Sequence, residues 1–307
     1  MLPSIMQIYI NQIIDEVEKH IKGKTQKVQL ALCAFLADGH ILIEDLPGVG
    51  KTSLAKVFSR VLGLDYSRVQ FTSDLLPSDI LGINYFDVKT SSFSFKPGPI
   101  FSQFLLADEI NRATPKTQSA LLEAMEEHQV SIDTQTIKLP QPFFVMATKN
   151  PFEEAGTFAL PSSQLDRFAI SFSLGYPDKE AERSILMQNS SLNLDHLQSI
   201  ESSSIDALKE AVESVHISDT LLDYLQEILS FTRESNLYTS GISTRGAIAL
   251  TKLSRSWALL QGRDYVIPSD INFLLPFVTA HRLQSKEASK TPSEIADEIL
   301  SHLHPDS

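Results

Sequence analysis

Residues 44–53, Glu44-Asp45-Leu46-Pro47-Gly48-Val49-Gly50-Lys51-Thr52-Ser53, follow the apolar run His40-Ile41-Leu42-Ile43 and precede the helix-like stretch Leu54-Ala55-Lys56-Val57-Phe58. A glycine-rich turn between a strand and a helix is the strongest constraint in this chain. Gly48 and Gly50 allow backbone N–H groups to turn inward around phosphate oxygens, and the following helix aims the positive end of its dipole at the same anion. Lys51 would reach the β and γ phosphates of a nucleoside triphosphate, and the Thr52 hydroxyl would ligate Mg2+. Pro47, Val49 and Ser53 complete the loop. One position departs from the usual pattern: the glycine expected ahead of the loop is replaced by Asp45.

Four further segments carry chemistry suited to such a loop. Phe104-Leu105-Leu106-Ala107-Asp108-Glu109 reads as a buried strand ending in two carboxylates. There Asp108 would hold Mg2+, and Glu109 would orient and deprotonate an attacking water. Phe143-Phe144-Val145-Met146-Ala147-Thr148 is a second buried strand, with Asn150 at its tip. Asn150 is either a positioned donor to the γ-phosphate or lytic water, or a turn former before Pro151. Arg167, in Leu165-Asp166-Arg167-Phe168, is either a charge-stabilising group supplied to a neighbouring subunit or a surface arginine paired with Asp166. Arg245 opens a long helix behind Ser243, a plausible N-cap. A cation in a first turn opposes the helix dipole, and an ATP phosphate nearby would remove the conflict.

Organisation follows from the same patterns. Short apolar strands (His40 to Glu44, Arg68 to Phe71, Phe104 to Ala107, Phe143 to Thr148, Ala169 to Phe172) alternate with helices, and their continuous hydrophobicity implies a parallel sheet covered on both faces. Amphipathic helices are expected over Ile5 to Lys22 and Gln26 to Ala37. Two hairpins, Tyr85 to Val88 with Phe93 to Phe95 and Val130 to Asp133 with Thr136 to Leu139, are extra to a minimal nucleotide-binding core. Beyond the turn Gly175-Tyr176-Pro177-Asp178 the strand pattern stops and helices remain: Glu180 to Gln188, Ile205 to Val215, Asp219 to Thr232, Thr244 to Gln261 and Ser269 to Phe273. The serine-rich Asn189 to Ser204 reads as a surface connection. The expected division is 1–177, a nucleotide-binding α/β domain with hairpin insertions, and 178–307, an all-helical lid.

Composition narrows the function class. A formal net charge of −12 and no basic run disfavour a nucleic-acid-coating protein, leaving a nucleic-acid-dependent motor as the alternative reading. The single cysteine, Cys33, lies in an apolar stretch and reads as a core residue. No window approaches the ~20 apolar residues of a membrane span. Asp15, Glu16 and Glu18 do not suit a secretory signal, so a cytoplasmic protein is expected.

Taken in order, these elements resemble an AAA+ ATPase. Within that class, Phe95-Lys96-Pro97-Gly98-Pro99-Ile100-Phe101, Leu106-Ala107-Asp108-Glu109-Ile110-Asn111-Arg112-Ala113 and Lys116-Thr117-Gln118-Ser119-Ala120-Leu121-Leu122-Glu123-Ala124-Met125-Glu126-Glu127 resemble the MoxR family. Gly175-Tyr176-Pro177-Asp178, Gly262-Arg263-Asp264-Tyr265-Val266 and Ala280-His281-Arg282-Leu283 continue the match. The resemblance implies a P-loop NTPase three-layer αβα sandwich with a parallel sheet, followed by a small all-α lid. It implies that Lys51 and Thr52 belong to Walker A, Asp108 and Glu109 to Walker B, Asn150 to sensor 1, Arg167 to the arginine finger and Arg245 to sensor 2. Ile21 and Gly23 match the adenine-side segment, where Lys24 stands in place of the family's usual Gln. ATP and Mg2+ are the implied cofactors. A homo-oligomeric, usually hexameric, chaperone-like ring is implied too, acting on protein clients that often carry von Willebrand factor A (VWA) domains. The leading expectation built on these residues is that ATP binds between subunits, Arg167 of the neighbour completes the site and hydrolysis moves the lid through Arg245.

Overall fold

The computed structural model describes residues 2–89, 91–132, 135–151, 156–187, 194, 196–287 and 290–303. Along the chain the elements are α1 (Leu2–Glu18), α2 (Thr25–Leu36), β1 (His40–Glu44), α3 (Lys51–Val61), β2 (Tyr66–Gln70), α4 (Pro77–Leu81), β3 (Gly82–Asp87), β4 (Ser92–Pro97), β5 (Phe104–Asp108), α5 (Pro115–Glu127), β6 (Gln129–Ile132), β7 (Gln135–Lys138), β8 (Phe144–Lys149), α6 (Ser162–Leu165) and β9 (Phe168–Phe172). Helices alone follow: α7 (Lys179–Met187), α8 (Ser202–Ser214), α9 (Asp219–Glu234), α10 (Thr244–Leu260), α11 (Pro268–Thr279) and α12 (Pro292–His302).

The apolar strands pair into one sheet of order β2-β5-β8-β1-β9. Every pairing in it is parallel. Successive side chains of a strand point to opposite faces, and this alternation builds two cores. Ile41 and Ile43 face a core with α1, α2 and α3, whereas Leu42 faces one with α5, through Leu121, Leu122 and Met125. The sheet is therefore the middle of three layers. The two hairpins, β3 with β4 and β6 with β7, pair antiparallel outside this sheet, as the alternation in their sequences predicts.

Helices beyond α7 do not bury a core of their own. Leu208, Leu225, Leu250, Leu253, Leu274 and Ile299 belong to the same apolar cluster as α1, α2 and the upper face of the sheet. Cys33, buried as expected, donates its thiol to Leu253 O at 3.3 Å, and Ser256 Oγ donates to Cys33 O at 2.9 Å. Arg282, just past α11, is almost fully buried: Nε donates to Asp166 Oδ1 at 2.7 Å, and the remaining donors reach Asp166 O, Phe168 O, Ala169 O and Val278 O.

Two sequence expectations need correction. The helix expected over Ser269 to Phe273 runs on to Thr279 through Pro276, because Leu274, Leu275 and Val278 continue a fully buried face. That burial outweighs one missing backbone hydrogen bond. The connection expected at the surface from Asn189 to Ser204 instead packs inward where it is described: Leu197 and Ile200 are buried, and Ile200 N donates to Val61 O at 2.8 Å. Its residues 189–193 and 195, like the hairpin residues Thr90 and Asp133, lie outside the described residues. Among the described residues no helix is long and apolar enough to cross a membrane.

His40, at the start of β1, is buried between the layers. Its Nδ1 accepts from Val145 N at 3.1 Å and its Nε2 lies 3.3 Å from Met125 O, a pairing that requires the neutral ring. Burial pushes the imidazole down to about 4 from 6.5. Because the folded value is the lower one, the stability held above pH ~6.5 is lost as the pH falls toward ~4, on the order of 3 kcal/mol. Thermal melts at pH 7.5 and 5 should therefore show a smaller pH-dependent loss for His40→Gln than for the wild type. Arg282→Ala would strand Asp166 without its partner, and denaturant titration should show a loss of about 3–5 kcal/mol.

Candidate functional site

Because the five strands run the same way, the loops after Glu44, Gln70, Asp108, Lys149 and Phe172 open on one edge. Two of these ends are tied directly, with Lys149 Nζ 3.0 Å from Glu44 Oε2. At this edge Gly48 and Gly50 take φ values of +85° and +97°, a region that glycine alone enters without strain. A Cβ built on either would meet nothing within 4 Å, so the inner face of the loop is an open cradle lined by backbone. Gly50 caps α3, whose N-terminus points its N–H groups at that space. Lys51 Nζ donates to Asp45 O at 2.9 Å and Leu46 O at 3.2 Å. Burial lowers its pKa, while Asp45, Asp108 and Glu109 pull the other way. A bound polyphosphate would restore the charge that burial disfavours.

Asp45, where glycine was expected, has a structural task. Its Oδ1 accepts from Leu46 N at 2.9 Å, and its Oδ2 accepts from Gly175 N at 2.8 Å and Ser173 Oγ at 3.0 Å. Lys24 fastens the same segment from the other side, donating to Leu174 O at 2.7 Å and Tyr176 O at 2.6 Å. Gly23 packs so close to Asp178 that a Cβ would lie 2.9 Å from Oδ2, while Ile21 lies partly buried against the main core. The stretch from Ile21 to Lys24, the phosphate loop and the exit from β9 are therefore one connected unit.

The carboxylates form a second cluster. Asp108 Oδ1 accepts from Thr148 Oγ1 at 2.6 Å, and its Oδ2 accepts from Arg68 Nη2 at 2.7 Å. Glu109 N donates to the same Thr148 Oγ1 at 2.8 Å, and Glu109 Oε2 accepts from Gln70 Nε2 at 2.8 Å and Arg112 Nη1 at 3.0 Å. Glu109 sits in the left-handed region at φ +57°, strain of about 1–3 kcal/mol that its neighbours over-determine. Asn150 follows the last residue of β8 on this edge. Among the described residues no three His, Cys, Asp or Glu side chains converge on a metal position. Thr52 and Asp108 offer two oxygens, which suits Mg2+, an ion that takes most of its shell from water and phosphate.

The two arginines lie elsewhere. Arg167 precedes Phe168, which pairs with His40 at the opposite, amino end of the sheet. Its Nη2 lies 3.0 Å from Glu126 Oε2, so its acidic partner is Glu126 rather than Asp166. Arg245 joins it there: its Nη2 bonds Glu126 Oε1 and its Nη1 stands 3.9 Å from Asp166 Oδ2. Ser243 caps α10 by accepting from Gly246 N at 2.9 Å and donates its own hydroxyl to Asp166 Oδ2 at 2.7 Å.

Sequence reasoning missed Arg68, Gln70, Thr148 and Glu126. For Thr148 and Gln70 a signal existed, because a hydrogen-bonding residue at the carboxyl end of a core strand is placed at the site by the sheet itself. Glu126 had none, being one of four glutamates and lysines on the outer positions of an ordinary amphipathic helix, with Lys116, Glu123 and Glu127.

Comparison with known proteins agrees with this geometry. Residues 40–170 match the model of the ATPase family associated with various cellular activities (AAA), and residues 230–303 match an AAA lid domain. The chain is 43% identical to the uncharacterized protein YeaC of Bacillus subtilis, covering 96% of this chain and 92% of that one. It is 39% identical to Chaperone MoxR1 of Mycobacterium tuberculosis, covering 94% of this chain and 78% of that one. The crystal structure of a candidate ATPase from Cytophaga hutchinsonii superposes with a TM-score of 0.91 at 35% identity, covering 99% of this chain and 96% of that one. The chain belongs to the MoxR family of AAA+ ATPases, chaperone-like proteins that hydrolyse ATP.

Proposed function

We infer that this ATPase works as a homo-oligomeric ring, hexameric as is usual for the family, with ATP hydrolysed in the clefts between adjacent copies. The observation that carries this reading is the separation of the two halves of the site. Lys51 and Glu109 lie at the carboxyl edge of the sheet, whereas Arg167 and Arg245 lie at the amino edge. The length of β1 alone, four residue steps, puts about 13 Å between those edges. Arginines so placed serve the phosphates of the next copy rather than their own.

In this reading the cradle of Pro47, Gly48, Val49, Gly50 and Ser53 and the Lys51 ammonium bind the triphosphate. Ile21 and Gly23 line the base side. Mg2+ held by Thr52 and Asp108 would neutralise charge on the β and γ phosphates. Glu109, released from Gln70 and Arg112, accepts a proton from the attacking water, and Asn150 orients that water. Arg167 and Arg245 of the neighbouring copy stabilise charge on the departing phosphoryl group. Residues 1–177 form the nucleotide-handling unit and 178–307 the lid, in a cytoplasmic protein.

The work done is remodelling or maturation of protein clients, VWA-domain proteins among them. The exposed hairpin of β3 and β4 supports a client contact: Phe86 and Phe93 are 52% and 76% exposed, and their rings meet edge to face 5.4 Å apart. Apolar surface held in water at such a tip marks an interaction site. A net charge of −12 weighs against the alternative nucleic-acid motor.

Lys51→Ala should abolish nucleotide binding, measured by calorimetry. Glu109→Gln should bind ATP and lose at least about a hundredfold in turnover, the range of one general base. Arg167→Ala should assemble and bind but not turn over, and normal hydrolysis by that variant, or by a strictly monomeric wild type, would refute catalysis between copies. Affinity capture with the Glu109→Gln protein held in ATP should retain protein partners; recovery of DNA alone, or strong stimulation by DNA at ~150 mM salt, would favour the motor.

A further inference from the structure

Five charged side chains meet at the amino edge of the sheet: three guanidiniums, from Arg167, Arg245 and Arg282, and two carboxylates, from Glu126 and Asp166. Arg282 is buried and Asp166 half-buried; they are bonded to each other, and Arg282 also to the backbone around β9. Glu126 is the exposed part. It spends one oxygen on each arginine, Oε2 on Arg167 and Oε1 on Arg245. Leu122, one turn earlier on the same face of α5, accepts from Arg167 Nη1 through its carbonyl oxygen.

Two guanidiniums side by side repel, and each long side chain loses rotamer freedom when held in one place. Arg245 also sits in the first turn of α10, against the helix dipole. A single carboxylate between the arginines offsets all three costs and leaves outer N–H groups in water, since Arg167 is 25% and Arg245 43% exposed. The cluster keeps one surplus positive charge, directed outward.

We propose that Glu126 is a positioning residue for ATP hydrolysis, assembling Arg167 and Arg245 into one two-pronged anion receptor that docks on the triphosphate of the neighbouring copy. The proposal rests on catalysis between copies. Glu126 touches neither nucleotide; it acts on the next subunit's reaction through the two arginines. Asp166 sets the height of the receptor by holding the Ser243 cap and Arg282, and Gly246 leaves room for that arginine, since a Cβ there would lie 2.9 Å from Arg282 Nε.

The test is complementation in mixed rings. Glu126→Gln alone should bind ATP within about twofold of wild type, because its own cradle is untouched, and lose at least about tenfold in turnover, with Glu126→Asp between the two. Lys51→Ala alone is dead but presents an intact arginine face. Co-expressed with two different tags and purified as mixed assemblies, Glu126→Gln and Lys51→Ala should recover about a quarter of wild-type turnover, the share of interfaces that join an intact cradle to an intact receptor when copies mix at random. A residue that merely supported the fold, or served its own cradle, would show no such recovery. Arg167→Ala mixed with Lys51→Ala is the control. Recovery in the control without recovery for Glu126→Gln overturns the role of Glu126 alone; no recovery in either overturns catalysis between copies and the proposal with it. Wild-type turnover by Glu126→Gln also overturns it.

Discussion

Everything in this molecule depends on the five strands pointing the same way. A parallel sheet has two unlike edges, and helix N-termini and strand ends collect at the carboxyl one. That edge receives the glycine cradle and the carboxylates; the amino edge receives the start of β9 and with it Arg167. The crossovers that a parallel sheet demands then supply the covering helices, one of which, α5, presents Leu122 and Glu126 to that second edge. The residues of the candidate site are thus divided between opposite edges of one protomer.

Local strain and local ties share the same origin. Glu109 occupies a left-handed conformation directly after a fully buried strand, held by Thr148 from the neighbouring strand and by Gln70 from the edge strand. The Glu109 carboxylate is therefore aimed by three strands at once. Asp45 shows the complementary solution, in which a residue foreign to the usual loop pattern is kept because its two oxygens bind the loop to the exit from β9.

Much of this was legible in the residues alone. The strand-turn-helix setting of Lys51, the paired carboxylates and the change from strands to helices near residue 177 are local patterns, and local patterns survive without knowledge of tertiary contacts. What was not legible lies in distant contacts. Nothing in the spacing of Leu165-Asp166-Arg167-Phe168 says that Asp166 belongs to Arg282 and Ser243 while Arg167 belongs to Glu126, since those partners are about 40 to 116 positions apart in the chain. Nor could periodicity reveal that Arg245 shares an edge with Arg167, because that depends on where the helical part docks. The inward turn of Leu197 and Ile200 was hidden for a related reason: serine-rich composition describes the average of a segment, and two apolar residues decide its path.

The single apolar cluster that runs from Met6 through α2 and α10 to Ile299 has a mechanical consequence. Hinged lids pivot where two cores meet at a thin seam; here the thiol and carbonyl of Cys33 are laced to α10, and a buried guanidinium is threaded into the backbone of β9. Bending such a body within itself would tear close-packed contacts. A load applied at the phosphate loop of such a body is thus passed on whole to its far side, the way a gear tooth passes rotation without flexing.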